Sequence, residues 1–309
     1  MIIVHDANER EGREWIATVG FFDGVHCGHR FLMEELLRLA DGRGLLTAVF
    51  TFPVHPRVVL QAGYQPQLLN SFDEKLEHLS ATGVDYCAVL DFTPALAALS
   101  AHDFITEILF RQWHVRTLLV GYDHRFGHNR SEGFEQYVTC GAACGMEVLR
   151  ASSYRQEDGV VSSSKIRRLL SECRVEEAAH RLTYAYRLKG HVVSGYQTGR
   201  KLGFPTANIE VDDPFKVWPG MGVYAVWVHL EGVRYQGMLS IGNRPTLNGK
   251  QVVIEVHLLH FSGIVYRQRI EVEFIRYLRE NRKFDSLDAL KTQLSEDRRQ
   301  VEQLLTGDF

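Results

Sequence analysis

Two histidines that could bind phosphate, His26 and His29, lie three residues apart in the run Gly-Phe-Phe-Asp-Gly-Val-His-Cys-Gly-His at residues 20–29. The run follows an apolar segment typical of a β-strand, and leucines recur after it at helical spacing. Unpaired backbone N–H groups at a helix N-terminus attract phosphate, and two imidazoles there could add hydrogen bonds. The pattern therefore predicts a polyphosphate site. The alternative is a surface turn with two solvated histidines.

Two other segments of the N-terminal half carry residue types that suit a nucleotide. At residues 121–127, Asp123 could accept from nucleotide hydroxyls or help to hold a metal, and Arg125 could pair with phosphate. The alternative there is a solvated Asp–Arg pair at the surface. At residues 161–167, three serines, a lysine and an arginine open a predicted helix and could clamp phosphate, although serines at a helix start commonly serve only as caps.

The run Gly-Arg-Lys-Leu-Gly-Phe-Pro-Thr-Ala-Asn at residues 199–208 is the corresponding feature of the C-terminal half. Gly199 and Gly203 would let a loop close over phosphates. Thr206 and Asn208 alternate along a strand, so a hydroxyl and an amide carbonyl share one face and could bind magnesium bridged to ATP. The alternative is a glycine-proline loop that merely precedes a strand.

Glu255 places a carboxylate inside the otherwise apolar strand-like segment 252–259. A buried carboxylate is costly unless it is paired or used in chemistry, so this residue is a candidate for a functional group. An outward-facing strand residue or an ion-pair partner are the alternatives, and the alternation of the segment does not decide among them.

The first 182 residues alternate strand-like and helical segments. Short apolar strands separated by helices favour an α/β domain with a mostly parallel sheet covered on both faces, whose ligands bind beyond the carboxyl ends of the strands. The predicted strands are residues 14–19, 45–52, 86–90, 117–121 and 146–149, and the predicted helices are residues 30–43, 72–81, 102–112, 134–144 and 165–170.

From residue 183 onward, closely spaced strands with glycine-bearing turns predict a small β-barrel. A helix at residues 286–305 should follow it, and a short charged helix within 171–183 should connect the two halves. The predicted strands are residues 186–193, 222–230, 234–241, 252–259 and 270–277.

Composition limits the classes of function. The chain has 309 residues, 45% hydrophobic and 24% charged, and a net charge of −3, so nothing in its charge favours nucleic acid or an anionic membrane as a partner. No apolar run approaches the roughly 20 residues of a membrane span, and no signal peptide is recognisable, so we expect a cytoplasmic protein. Five scattered cysteines argue against a disulfide framework. We favour phosphate-binding histidines over a zinc site built from His26, Cys27, His29, His124 and His128.

These segments resemble, in order and across nearly the full length, the motifs of the bacterial bifunctional riboflavin kinase/FMN adenylyltransferase family, also called FAD synthetases. The motifs are G-x-F-D-G-V-H-x-G-H, T-F-x-P-x-P (here residues 51–57), V-G-x-D-F-R-F-G, S-S-T-x-I-R and G-R-x-L-G-F-P-T-A-N. The resemblance implies a nucleotidyltransferase-like, Rossmann-like domain over residues 1–182. It implies a riboflavin kinase-like barrel with a C-terminal helix over residues 183–309.

The activities implied by the resemblance are ATP-dependent phosphorylation of riboflavin to FMN in the C-terminal domain and adenylylation of FMN to FAD in the N-terminal domain. Magnesium is the implied cofactor, ATP the co-substrate, and small molecules are the only implied partners, with self-association left open. The implied catalytic residues are Glu255, His26, His29 and Arg167. The implied nucleotide- and phosphate-binding residues are Gly20, Phe22, Asp23, Gly24, Gly28, Asp123, Arg125, Ser163, Ser164, Gly199, Arg200, Gly203, Thr206 and Asn208. Flavin binding is implied for Phe52, Pro56 and Asn243, and magnesium binding for Thr206 and Asn208.

Three departures from the family pattern concern the N-terminal half. Phe21 stands where the family frequently has asparagine, Val54 where it often has proline, and His124 where it has an aromatic residue. They motivate a second hypothesis, a riboflavin kinase whose N-terminal domain is weak or acts on another phosphorylated substrate. A flavin-binding protein without chemistry is a third hypothesis, disfavoured because the catalytic residue types are all present.

Overall fold

The computed structural model describes residues 1–10, 12–122, 125–128, 132–154, 159, 161–194, 203–246 and 249–306, with backbone alone at residues 10, 244–246 and 249–251. The chain divides into two compact units, Met1–Ser163 and Ser164–Phe309. None of the helices in these ranges combines the length and the apolar character that a membrane span requires.

A six-stranded parallel sheet forms the centre of the first unit, in the order β1-β4-β3-β2-β5-β6. Its middle strand β2 is buried along its whole length, with Trp15 and Ala17 packed in one apolar cluster and Ile16 in another. Burial on both faces explains why the four inner strands are largely apolar runs rather than alternating ones. The strands are β1 Ile2–Val4, β2 Trp15–Val19, β3 Leu46–Thr51, β4 Tyr86–Val89, β5 Val115–Val120 and β6 Glu147–Arg150.

Helices cover both faces of this sheet. Leu36 of α1 and Leu79 of α3 pack on one face, and Leu109 and Tyr137 pack on the other. The helices are α1 Cys27–Asp41, α2 Pro56–Leu60, α3 Phe72–Ser80, α4 Pro94–Ala98, α5 Ala101–Asp103 and α6 Phe134–Cys144, and α5 continues as a π-helix over Phe104–Gln112. A 3₁₀ turn lies at Ala7–Arg10.

The strand order reverses between β2 and β5. The chain proceeds from β2 to β3 and β4 on one side, and from β5 to β6 on the other. Loops after the carboxyl ends of two such strands diverge and leave a crevice, the usual ligand site of open parallel sheets. The segments that begin at Gly20 and Gly121 follow these two strands.

The second unit is a closed six-stranded barrel, in the order β10-β11-β8-β7-β12-β9, with helices at both chain ends. Helix α7 Ser163–Ser171 begins at the unit boundary, and α8 Val175–Leu182 precedes the barrel. The strands are β7 Tyr186–Val193, β8 Ala207–Val211, β9 Gly222–Leu230, β10 Val233–Thr246, β11 Gly249–Leu258 and β12 Arg269–Arg279, and helix α9 Leu287–Leu304 follows them.

Helix α9 packs against the outside of the barrel. Val301 and Leu305 lie in one apolar cluster with Trp227 and Met238, which are on the outer face of the barrel. A buried ion pair fixes the helix to β12: Nε and Nη2 of Arg279 donate to the Asp297 carboxylate, with a shortest distance of 2.6 Å. The helix therefore gives the barrel a second, external apolar layer.

The predicted fold class, a Rossmann-like parallel sheet followed by a small barrel and a terminal helix, is confirmed. Strand β1 was not predicted, because a strand of three residues is too short to show a periodic pattern. Strand β10 continues to Thr246, five residues beyond its predicted end at Ile241, because Asn243 and its neighbours are polar yet pair with β11. The π-geometry after α5 was not predicted, since its apolar spacing resembles that of an α-helix.

Candidate active sites

The turn that follows β2 is tightly constrained. Phe22, Gly24 and Val25 adopt positive φ angles of 54°, 85° and 34°. A Cβ on Gly20 would lie 2.7 Å from the Phe22 ring, so no other residue fits there without a shift of that ring. The Gly20 amide donates to the Phe50 carbonyl at 3.0 Å, which fixes the turn to the end of β3. The glycines of the motif thus shape a compact lead into helix α1.

His26 and His29 lie at the N-terminus of α1, as predicted. His26 is the N-cap, and its Nδ1 accepts from the His29 amide at 3.4 Å. The two rings stack at 3.7 Å, and Phe22 meets the His29 ring edge-on at 5.3 Å. A Cβ on Gly28 would lie 3.3 Å from the His26 ring, so a side chain there would press on it. Because Nδ1 is an acceptor, the neutral His26 carries its proton on Nε2 and can donate from that atom.

Asp23 is buried and holds the turn from within. Its Oδ1 accepts from the amides of Leu69 at 2.9 Å and Asn70 at 3.3 Å, directly before helix α3. Its carbonyl accepts from Ser163 Oγ at 2.9 Å. Asp23, which was predicted to bind the nucleotide, therefore has hydrogen-bond partners in the backbone of the protein itself. The structure also brings Ser163 to this turn.

Lys75 is a buried cation at the same edge of the sheet, and sequence reasoning missed it. Its Nζ donates to the carbonyl of Phe52 at 2.7 Å and to that of Phe21 at 3.2 Å, and lies 4.0 Å from the centre of the Phe21 ring. Burial lowers the pKa of Lys75 to about 8, a shift that the nearby charge of Asp23 opposes. A signal was present, since Lys75 stands on the apolar stripe that α3 forms with Phe72 and Leu79.

The segment predicted to bind flavin leaves β3 beside this lysine. Phe52 is buried with its ring edge-on to Phe92 at 5.2 Å, and Pro56 begins α2. His55 caps that helix and meets the Phe21 ring at 4.8 Å. Val54 is 47% exposed. Phe21 is thus packed between His55 and Lys75.

In the segment after β5, Asp123 and His124 lie outside the described residues. Arg125 is exposed. Phe126 stacks on Tyr137 at 4.2 Å, and a Cβ on Gly127 (φ 88°) would lie 2.8 Å from the Ala101 nitrogen. This end of the segment is anchored by packing.

Helix α7 carries the remaining phosphate-binding candidates of the N-terminal motif set. Ser163 and Ser164 are its first residues, and Arg167 follows one turn later, half-buried. Residues three and four apart share one face of a helix, so the two hydroxyls and the guanidinium are neighbours on α7.

The second site is a row of polar side chains across three adjacent barrel strands. Glu255 of β11 pairs in register with Asn208 of β8 on one side and with Ser240 of β10 on the other. Directly opposed residues have Cβ atoms about 4.5–5.5 Å apart and point to the same face. Ile254 and Val256, on either side of Glu255, are fully buried, so the row lies on the outer face of the barrel.

The chain leading into Asn208 is held by a histidine. His257 Nδ1 bonds the Pro205 carbonyl at 2.7 Å, and its ring meets Phe204 edge-on at 5.3 Å. Burial lowers the pKa of His257, which favours the neutral ring as the donor. His257 therefore positions the segment that carries Thr206 and Asn208. The alternation in β11 gave no sign of this bond.

The other predicted residues of the second site are dispersed or lie outside the described residues. Gly203, with φ 84°, and Asn243 are exposed, and Asn243 lies on β10 three residues beyond Ser240. Gly199 and Arg200 lie outside the described residues. Asn281 donates to the Ile241 carbonyl at 2.7 Å and accepts from Ser240 Oγ at 3.4 Å, which ties the chain after β12 to the polar row.

Comparisons with known proteins match the two halves separately. Residues 8–165 match the family model described as FAD synthetase, and residues 182–305 match the one described as riboflavin kinase. The bifunctional riboflavin kinase/FMN adenylyltransferase of Haemophilus influenzae is 36% identical over 295 residues, 95% of this chain and 95% of that protein. This chain belongs to the bifunctional riboflavin kinase/FMN adenylyltransferase family. The family member from Listeria monocytogenes is 35% identical over 284 residues, 91% of this chain and 90% of its own.

A solved structure shares the fold along almost the whole chain. The protein described as a macrolide-efflux protein from Streptococcus pneumoniae matches with a TM-score of 0.85 at 28% identity, covering 97% of this chain and 98% of that one. The efflux role belongs to the description of that protein alone, and neither matching family model describes efflux.

The donor set of the second site suits a hard divalent cation such as magnesium. Asn208 and Thr206 offer an amide and a hydroxyl oxygen, and Glu255 offers a carboxylate beside them. Hard divalent cations prefer such oxygen ligands. Among the described residues, no three His, Cys, Asp or Glu side chains are grouped to hold a metal.

Proposed function

We propose that the C-terminal unit transfers the γ-phosphoryl group of ATP to riboflavin, giving FMN, and that the N-terminal unit joins FMN to the adenylyl group of ATP, giving FAD and pyrophosphate. The observation that carries the proposal is the register that sets Glu255 directly opposite Asn208. Two motifs 47 residues apart in sequence, a carboxylate and a phosphate-loop asparagine, thereby meet on one face.

In the kinase step, we assign Glu255 as the general base. It would take the proton of the terminal ribityl hydroxyl as that oxygen attacks the γ-phosphorus and ADP leaves. Asn208, buried beside Glu255, and Thr206 would hold magnesium, which when bound neutralises charge on the ATP phosphates. His257 keeps these oxygens in place through the Pro205 carbonyl.

In the adenylyl step, an oxygen of the FMN phosphate attacks the α-phosphorus of ATP and the bond to pyrophosphate breaks. A phosphate monoester, with a second pKa near about 6, is already anionic at neutral pH, so the step needs no general base. The N-terminus of α1, His26 and His29 would stabilise the charge that develops on the phosphates. Ser164 and Arg167 are proposed as further phosphate contacts.

We place the domain boundary at residues 182 and 183, and propose a cytoplasmic enzyme that uses only small molecules. All five cysteines are thiols, as expected in a reducing compartment. The net charge of −3 gives no electrostatic support for a nucleic-acid partner.

The test is a time course with riboflavin, ATP and magnesium, in which flavins are separated by chromatography. FMN followed by FAD is the expected result. Glu255→Gln should abolish FMN formation yet convert added FMN to FAD, and His26→Ala should do the reverse. FMN that accumulates without FAD would favour the re-purposed N-terminal domain. If neither FMN nor FAD forms, both assignments are refuted.

A further inference from the structure

A single ammonium group joins the loops that leave two neighbouring strands of the parallel sheet. Phe21 follows β2 and Phe52 follows β3, strands that pair in parallel. Lys75 Nζ donates to both of their carbonyls, at 3.2 Å and 2.7 Å. With its side chain 3% exposed, this charge has almost no access to water and depends on these acceptors.

A residue of opposite charge, Asp23, connects the same turn with the start of helix α3. The Asp23 carboxylate, in the turn after β2, accepts from the Leu69 and Asn70 amides just before α3. Helix α3 is therefore fastened to the histidine-bearing turn at two points, by an acid on the turn and a base on the helix. The Phe21 ring, 4.0 Å from Nζ, adds a cation–π contact.

We propose that Lys75 is a positioning residue for adenylyl transfer, setting the distance between the turn that presents His26 and His29 and the segment 51–57. The inference rests on the function proposed for the N-terminal unit. Lys75 acts through the carbonyls of Phe21 and Phe52. Displacement of catalytic groups by about 1 Å can lower a rate on the order of 100-fold.

The charge of Lys75 changes in an accessible pH range. Burial lowers the pKa of Lys75 to about 8, so the ammonium is present below that pH and is lost above it. The titratable groups beside Lys75 are Asp23 on the turn, whose negative charge opposes this shift, and Cys87 on β4. Burial raises the pKa of the Cys87 thiol to about 12, so Cys87 stays neutral throughout. The FMN phosphate titrates near about 6, well below this range.

The experiment measures kcat and KM for FMN in the adenylyl step between about pH 6.5 and 9.5, with riboflavin phosphorylation by the same chain as internal control. We expect wild-type kcat/KM to fall above about pH 8 as the ammonium is lost. Lys75→Met should lower kcat/KM for the adenylyl step about 10- to 100-fold, roughly the effect of a displaced catalytic group. Its pH profile should show no decrease near pH 8, and its riboflavin kinase activity should be normal. Lys75→Arg, which keeps its charge, should recover activity and move the decrease to higher pH.

Leu76→Ala is the matched control, since it removes apolar packing from the same helix and leaves the two carbonyl contacts in place. An equal loss of kcat/KM in Leu76→Ala and Lys75→Met would mean that Lys75 only stabilises the fold, which would overturn the inference. A Lys75→Met variant with unchanged kcat/KM would overturn it as well. If Lys75→Met does not fold, the decrease in kcat/KM at alkaline pH is compared between wild type and Lys75→Arg. Decreases at the same pH in the two proteins refute the inference. A wild type that never makes FAD refutes the proposed function instead.

Discussion

Replacing Asp297 with alanine should destabilise the barrel unit strongly. Asp297 is 1% exposed and receives three contacts of 2.6–3.1 Å from the Arg279 guanidinium, plus one of 2.7 Å from Gln293. Removing one partner of a buried ion pair leaves the other charge uncompensated and costs about 3–5 kcal/mol. Because the Arg279 side chain keeps 19% exposure, water can partly solvate it, and we expect about 3 kcal/mol.

For a unit of this size, that loss corresponds to a decrease in melting temperature of about 10 °C. Calorimetry of the whole chain should show the barrel transition shifted, and riboflavin phosphorylation should be inactivated at the lower temperature. Conversion of FMN to FAD should keep its thermal profile, because the other unit carries it out.

Glu296→Ala is the control on the same helix. Glu296 pairs with Arg299 and Gln300, which lower its pKa to about 2, yet it is solvent-exposed. Water screens such a pair, so its loss should leave the melting temperature unchanged. An Asp297→Ala chain that melts with the wild type would refute the view that this ion pair anchors α9.

Three further predictions concern the two units separately. Gly127→Ala should destabilise the first unit by roughly 2 kcal/mol in chemical denaturation, because a side chain would meet both a positive φ and the Ala101 backbone; Gly44→Ala, with a positive φ but open space, should cost less. Since burial lowers the pKa of His257, the unfolded chain binds a proton that the folded chain does not. The barrel should therefore lose stability as the pH falls below about 6.5, and His257→Gln should remove that part of the dependence. Asn208→Ala should raise the magnesium concentration for half-maximal riboflavin phosphorylation about 10-fold, and equal titrations for variant and wild type would contradict its role as a ligand.

Much of the fold follows from periodicity. The four inner strands of the first unit, β2 to β5, are buried on both faces and so appear as largely apolar runs. Helix α6 begins and ends at its predicted residues, Phe134 and Cys144. Boundaries moved where a polar residue pairs within a sheet, as at Asn243, or where a histidine is the cap, as at His26 before α1.

The orientation of Glu255 could not be predicted, for a physical reason. Alternation distinguishes inside from outside only when one face meets water, whereas α9 covers part of the outer face of the barrel. His257 and Ile254 are consequently both buried although they point to opposite sides of β11. Lys75 was missed because a lysine on a helix is ordinarily solvated, and only the tertiary structure supplies the two carbonyls that hold it.

The polar row of Asn208, Glu255 and Ser240 also determines when the kinase site can form during folding. Ser240 and Glu255 meet in a hairpin of consecutive strands, but Asn208 reaches Glu255 only through the pairing of β8 with β11, three residue pairs long. Contacts between segments distant in sequence form late, because the loop-closure entropy must be overcome first. Return of riboflavin phosphorylation during refolding should therefore lag behind hairpin formation and report the moment at which the barrel closes.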